Sequence, residues 1–161
     1  MIFKRKIYNK FLAWKQDSCG KKALLVEGAR RIGKSTVVEE FARQEYKSYI
    51  LIDFAKASED VKRYFHQHLN DLDTFYMLLS VHYGVQLYNR ESLIIFDEVQ
   101  LFPKAREAIK YLVADGRYDF METGSLISIR ENVKDIVIPS EERHIKMYPM
   151  DFEEFCWALG E

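Results

Sequence analysis

Cysteine is scarce: Cys19 and Cys156 stand far apart and outside any paired spacing. That argues against a disulfide framework or a thiolate zinc site and fits a reducing cytoplasm. The four histidines, His66, His68, His82 and His144, lack metal-ligand spacing and read as surface helix positions. No apolar run reaches the length needed to cross a bilayer, so no membrane partner is expected. The opening "MIFKRKIYNKF" is basic but lacks an apolar core with a small-residue cleavage site, which argues against a secretory signal. Internal repeats and low-complexity segments are also missing.

What remains is ordinary globular material. The 161 residues, 48% hydrophobic and 30% charged, suffice for one domain with a proper core. The net charge of −1 hides a lopsided distribution. Residues 1–34 carry ten Lys or Arg against Asp17 and Glu27, whereas residues 141–161 carry six acids against Arg143 and Lys146. A basic front end suits an anionic ligand or nucleic acid, although lysines on a solvated helix face explain Lys4–Lys15 more simply. Residues 1–20 are therefore expected to form a basic helix and turn packed on a domain spanning 21–161.

Periodicity supplies the elements. Ile7, Phe11 and Trp14 recur at helical spacing within 3–16, and "DSCGKK" breaks the pattern. Short apolar runs at 23–28, 49–54 and 92–98 read as buried strands, "YDFMETGS" (118–125) as a fourth and "HIKMYPM" (144–150) as a fifth. Helical patterns lie between them: one from Lys34, two pieces within 58–89 divided at Asn70 and Asp71, and one following Phe102 and Pro103. Strands alternating with helices imply a parallel sheet covered on both faces, a three-layer α/β/α domain.

Gly28-Ala29-Arg30-Arg31-Ile32-Gly33-Lys34-Ser35 matches the phosphate-loop pattern G-x-x-x-x-G-K-[ST] between a strand signal and a helix signal. Gly28 is expected to let the chain leave the strand in a tight turn, and Gly33 to adopt conformations closed to other residues. The loop's N–H groups converge on phosphate in front of a helix N-terminus. Lys34 reaches the β- and γ-phosphates, and the Ser35 hydroxyl ligates Mg²⁺. Arg30 and Arg31 read more readily as solvated side chains than as phosphate ligands. Asp97 ends a buried strand, where a magnesium-assisted site needs a carboxylate, and Glu98 beside it is placed to polarise an attacking water.

"GARRIGKST", "IIFDEVQLFP", "METGS" and "YPMDFEEF", in this order, resemble the ATPase domain of prokaryotic AAA-superfamily proteins related to the signal-transduction (STAND-like) ATPases. The resemblance covers about residues 20–158. It implies that Lys34, Ser35 and Thr36 hold the nucleotide phosphates and Mg²⁺, that Asp97 supports the metal, and that Glu98 is the catalytic base. It makes Thr123–Ser125 a γ-phosphate sensor, with Ser125 favoured, and implies a five-stranded order 5-1-4-3-2. The family's Gly-Arg or Gly-Lys pair before the last strand is replaced by Glu142-Arg143. Arg143 is the residue left to stabilise the γ-phosphate or a neighbour's nucleotide in an oligomer.

Three functions compete. One is Mg²⁺-dependent ATP hydrolysis that drives a downstream domain, the present chain being an N-terminal fragment of a longer protein with a C-terminal effector. The second is a nucleotide-gated binding module with little turnover. The third, a small-molecule kinase, needs an arginine-rich lid, and residues 126–143 supply only Arg130 and Arg143. The guanine pattern N/T-K-x-D is absent, which favours ATP over GTP. A nucleic-acid partner would have to use the basic N-terminal segment, and no reader motif supports it.

Overall fold

Three strands, Ala23–Gly28 (β1), Ser92–Asp97 (β3) and Asp119–Ser125 (β4), are buried at every residue, so both faces of their sheet must be covered. A computed structural model of the chain describes residues 3–125 and 138–160. The other elements are α1 (Ile7–Ser18), α2 (Lys34–Glu45), β2 (Ser48–Asp53), α3 (Glu59–Gln67), α4 (Leu72–Tyr83), α5 (Pro103–Asp115), β5 (Glu142–Lys146) and α6 (Phe152–Leu159). A 3₁₀ turn at Val99–Leu101 separates β3 from α5.

The sheet runs β2-β3-β4-β1-β5 with every pairing parallel, which is the expected 5-1-4-3-2 read from the other edge. Alternation along the strands divides the core in two. Leu25, Ile52, Ile94 and Phe96 pack with Phe65, Phe75 and Ile109 from α3, α4 and α5. Leu24, Val26, Ile95 and Met121 pack with Phe11 and Trp14 of α1 and with Val38 and Phe41 of α2. Among the described residues no helix is long and apolar enough to cross a membrane.

Local chemistry sets the helix limits. The Ser58 and Asp71 side chains accept from the N–H groups of Val61 and Thr74, which starts α3 and α4. Gly84, at φ 65°, ends α4, so the helical pattern expected to run to residue 89 stops at Tyr83. The fifth strand also differs from expectation, beginning at Glu142 and ending at Lys146. Its first residues are charged and gave no apolar signal, yet Glu142 is buried by a partner on α5.

The lopsided charge resolves into internal pairing. Lys6 Nζ lies 2.7 Å from Asp151 Oδ2 and 2.6 Å from Glu153 Oε2. Arg5 Nε lies 3.4 Å from Glu154 Oε2, and Lys4 Nζ sits 4.5 Å from the Trp157 ring centroid. The basic front end is therefore laid against the acidic α6 region, and α1 starts only at Ile7. Arg5 is buried by this pairing, whereas Lys4 and Lys6 stay exposed.

Candidate functional site

All five strands point the same way, so their carboxyl ends form one edge, where α/β sheets place their ligands. The register sets Gly28 of β1 beside Ser125 of β4, and Val26 beside Thr123. From Gly28 the chain crosses residues 29–33 into α2.

The two loop glycines are needed for different reasons. Gly33 is left-handed, with φ 92°, as expected. Gly28 is not among the positive-φ residues, and its constraint is space rather than the expected tight turn. A Cβ there would stand 2.5 Å from Met147 O and 2.8 Å from Ile32 Cδ1, because the chain leaving β5 passes directly over it. Arg31 is also left-handed, with φ 62°. A non-glycine residue in that conformation costs about 1 kcal/mol.

Lys34 is buried, and its ammonium donates to Gly28 O at 3.1 Å and Ala29 O at 2.5 Å, which folds it across the loop. Burial lowers its pKa, while the charges of Glu98 and Asp97 oppose that shift. No side chain caps the N-terminus of α2, so its first-turn N–H groups keep the exposed positive end of the helix dipole. Thr36, Arg30 and Arg31 are exposed.

At the end of β3, Asp97 Oδ1 accepts two hydroxyls, Ser35 Oγ and Thr123 Oγ1, each at 2.6 Å. Burial raises the Asp97 pKa, the two hydroxyl bonds lower it, and nearby Asp53 and Glu98 raise it further. Ser35 and Asp97 thus present hard oxygen atoms together, a donor set that fits a magnesium ion. Glu98 leaves the strand in the left-handed region at φ 56°. Its N–H donates to Thr123 Oγ1 at 3.0 Å, and its Oε2 accepts from Gln100 Nε2.

The loop, Lys34, Ser35, Asp97, Glu98 and Ser125 therefore meet on one edge. Arg143 does not join them. It pairs with Leu24, four residues before Gly28, and its side chain is exposed. At the rise of a strand this puts it about 13 Å from the loop. Arg130 lies outside the described residues. Thr123 was only part of the expected sensor range, although it shares the face of Ser125 by alternation. Gln100 lies inside the "IIFDEVQLFP" motif and Arg5 inside the basic front end, but neither is assigned a place at the site by those patterns.

A cavity of about 400 Å³ opens beside the loop, lined by Phe3, Arg5, Ile32, Thr36, Val37 and Pro149, among others. Behind the site, on the α5 side, lies a buried ionic cluster. Arg106 Nη2 donates to Glu142 Oε1 at 2.7 Å, and the two ring nitrogens of His144 meet Glu142 and Glu27. Burial alone would raise the Glu142 pKa, but hydrogen bonds from His144 and Arg106 hold it at about 2. Glu122 is raised well above the carboxylate range by burial and by the charge of Glu142. His144 is thus an exposed strand residue at the edge of this network, not the helix position expected.

A glycine-bounded loop between a central parallel strand and a helix, with strand-end acids beside it, defines the class of α/β nucleotide-binding domains. A family model described as an AAA domain matches residues 20–156, and the chain belongs to that AAA-domain family. No curated protein matches it. Among solved structures, PCH-2 from C. elegans is similar at 13% identity and a TM-score of 0.48, covering 94% of this chain and 45% of that one. The Hef helicase domain of Pyrococcus furiosus is similar at 13% identity and a TM-score of 0.39, covering 91% and 40%. The chain spans less than half the length of either structure.

Proposed function

We propose that this domain binds ATP with Mg²⁺ at the Gly28–Thr36 loop and hydrolyses it, passing the change to a downstream domain or partner. The observation that carries this reading is the meeting of Ser35 and Thr123 on Asp97 Oδ1, with Glu98 held against the same threonine. One carboxylate thereby ties the loop helix to two strands, and the next residue is a second acid.

In this reading, the N–H groups of residues 29–36 and the Lys34 ammonium take up the phosphate charge. Ser35 and Asp97 hold Mg²⁺, which when bound neutralises charge on the phosphate oxygens. Glu98 orients the attacking water and accepts its proton. Ser125 reports on the terminal phosphate in this reading, which its register opposite Gly28 supports. The cavity at Val37 and Pro149 has the volume for a nucleoside.

A nucleotide-gated module with little turnover is the second reading. Gln100 engages the Glu98 carboxylate, and a base held that way is restrained from the water it would activate. Calorimetric titration with ATP, with and without Mg²⁺, and steady-state phosphate release separate the two. Lys34→Ala should abolish binding. Glu98→Gln should retain binding and lower turnover by about 10²-fold or more. Binding unaffected by Lys34→Ala would sink both readings, and a near-zero rate unchanged by Glu98→Gln would leave only the gated module.

A further inference from the structure

Arg5 is almost fully buried, yet it belongs to neither the sheet nor any helix of the core. Its guanidinium reaches three separate segments. Nη1 donates to Ile32 O at 2.8 Å, inside the loop, and Nη2 donates to Tyr148 O at 2.7 Å, where the chain has left β5. Nε lies 3.4 Å from Glu154 Oε2 on α6.

Each contact sits at a point that controls its segment. Ile32 precedes Gly33, the left-handed pivot into α2, and a Cβ on Gly33 would stand 3.4 Å from Arg5 Nη1. Glu154 is the reciprocal partner in the capping box that starts α6. It accepts from Asp151 N at 3.1 Å while Asp151 Oδ1 accepts from Glu154 N at 2.9 Å. The same carboxylate accepts the Lys6 N–H at 2.8 Å. A planar, always-charged fork makes such a three-way junction, whereas a lysine offers a single nitrogen and cannot span three separate segments.

We propose that Arg5 is a positioning residue that couples the phosphate loop to α6, so that a nucleotide held by the loop orders α6 and the chain after β5. The inference rests on the nucleotide-binding reading of the loop. Coupling of this kind is reciprocal, so loosening α6 at Glu154 must weaken the ligand at the loop as much as the ligand tightens α6.

Hydrogen–deuterium exchange of the whole chain, with and without saturating ATP·Mg²⁺, tests it in the wild type, Arg5→Gln and Glu154→Gln. In the wild type, exchange should slow both at residues 29–36 and at residues 152–159. In Arg5→Gln the loop should still slow at saturation while the response of α6 disappears, and affinity should fall about tenfold, within the usual range of coupling. Glu154→Gln keeps one oxygen, which serves the Lys6 N–H or the Asp151 N–H but not both; with its folding checked by circular dichroism, it should lose most of the α6 response. Slowing at the loop without slowing at α6 in the wild type overturns the coupling alone, as does an α6 response that survives in both variants. No slowing at the loop overturns the nucleotide reading and the coupling with it.

Discussion

Thr123 donates its hydroxyl to Asp97 across 2.6 Å, from one parallel strand to its neighbour, and the same oxygen accepts the Glu98 N–H. A single buried side chain thus orients both acids of the candidate site. Thr123→Val keeps the shape and removes both bonds. The lost partners should cost about 1–3 kcal/mol in chemical denaturation. Turnover should fall further than that stability change explains, and Thr123→Ser should restore most of it.

Asp97 carries its charge in a buried position, and burial is the main cause of its raised pKa. A carboxyl whose folded pKa is raised binds protons in the native state that the unfolded chain has released. Its ionisation therefore lowers stability as pH rises from the unfolded value toward the raised one. Asp97→Asn removes that penalty and keeps an oxygen for Ser35 and Thr123. Urea denaturation at neutral pH should show Asp97→Asn at least as stable as the wild type, while calorimetry should show the Mg²⁺ dependence of nucleotide binding lost.

Gly28 is held by the carbonyl of Met147 rather than by its backbone angles. Gly28→Ala must push a methyl against backbone 2.5 Å away, and backbone cannot rotate aside as a side chain can. Denaturation should report a loss of about 1–3 kcal/mol, the usual cost of overpacking. Gly33→Ala fails for another reason, since the cost there is the left-handed φ of 92°.

His144 sits between Glu142 and Glu27, and its pKa is raised chiefly by the hydrogen bond to Glu142. A raised histidine contributes stability that is complete below its unfolded pKa, about 6.5, and is lost as pH climbs through the folded value. Glu142 behaves oppositely: its contribution is complete above the unfolded value of 4.5 and is lost as pH falls toward about 2. The stability difference between wild type and His144→Gln should therefore shrink as pH rises above about 6.5 and through the raised folded value. The difference between wild type and Glu142→Gln should shrink in acid. Denaturation curves across pH check both, and a His144→Gln difference that grows with pH would refute the assignment.

The phosphate loop was legible because its demands are local: two glycines, a lysine and a serine at fixed spacing between a strand pattern and a helix pattern. Strand-end acids were legible for the same reason, since buried parallel strands are short apolar runs that stop where polar chemistry begins. Periodicity likewise determined the alternating elements, and the family resemblance carried by the four motifs implied the strand order. Which side chains meet was not written in those patterns. Thr123 met Asp97 because β4 lies next to β3, and Gly28 was constrained by a carbonyl far along the chain at Met147. Arg143 fell beside Leu24 because β5 begins two residues earlier than its apolar stretch suggests. Arg5 looked like one more solvated cation until the fold brought Ile32, Tyr148 and Glu154 around it. Sequence patterns record what each segment needs of water and of its own backbone. The partner of a buried charge is set by contacts between segments distant in the chain, and only the tertiary structure decides those.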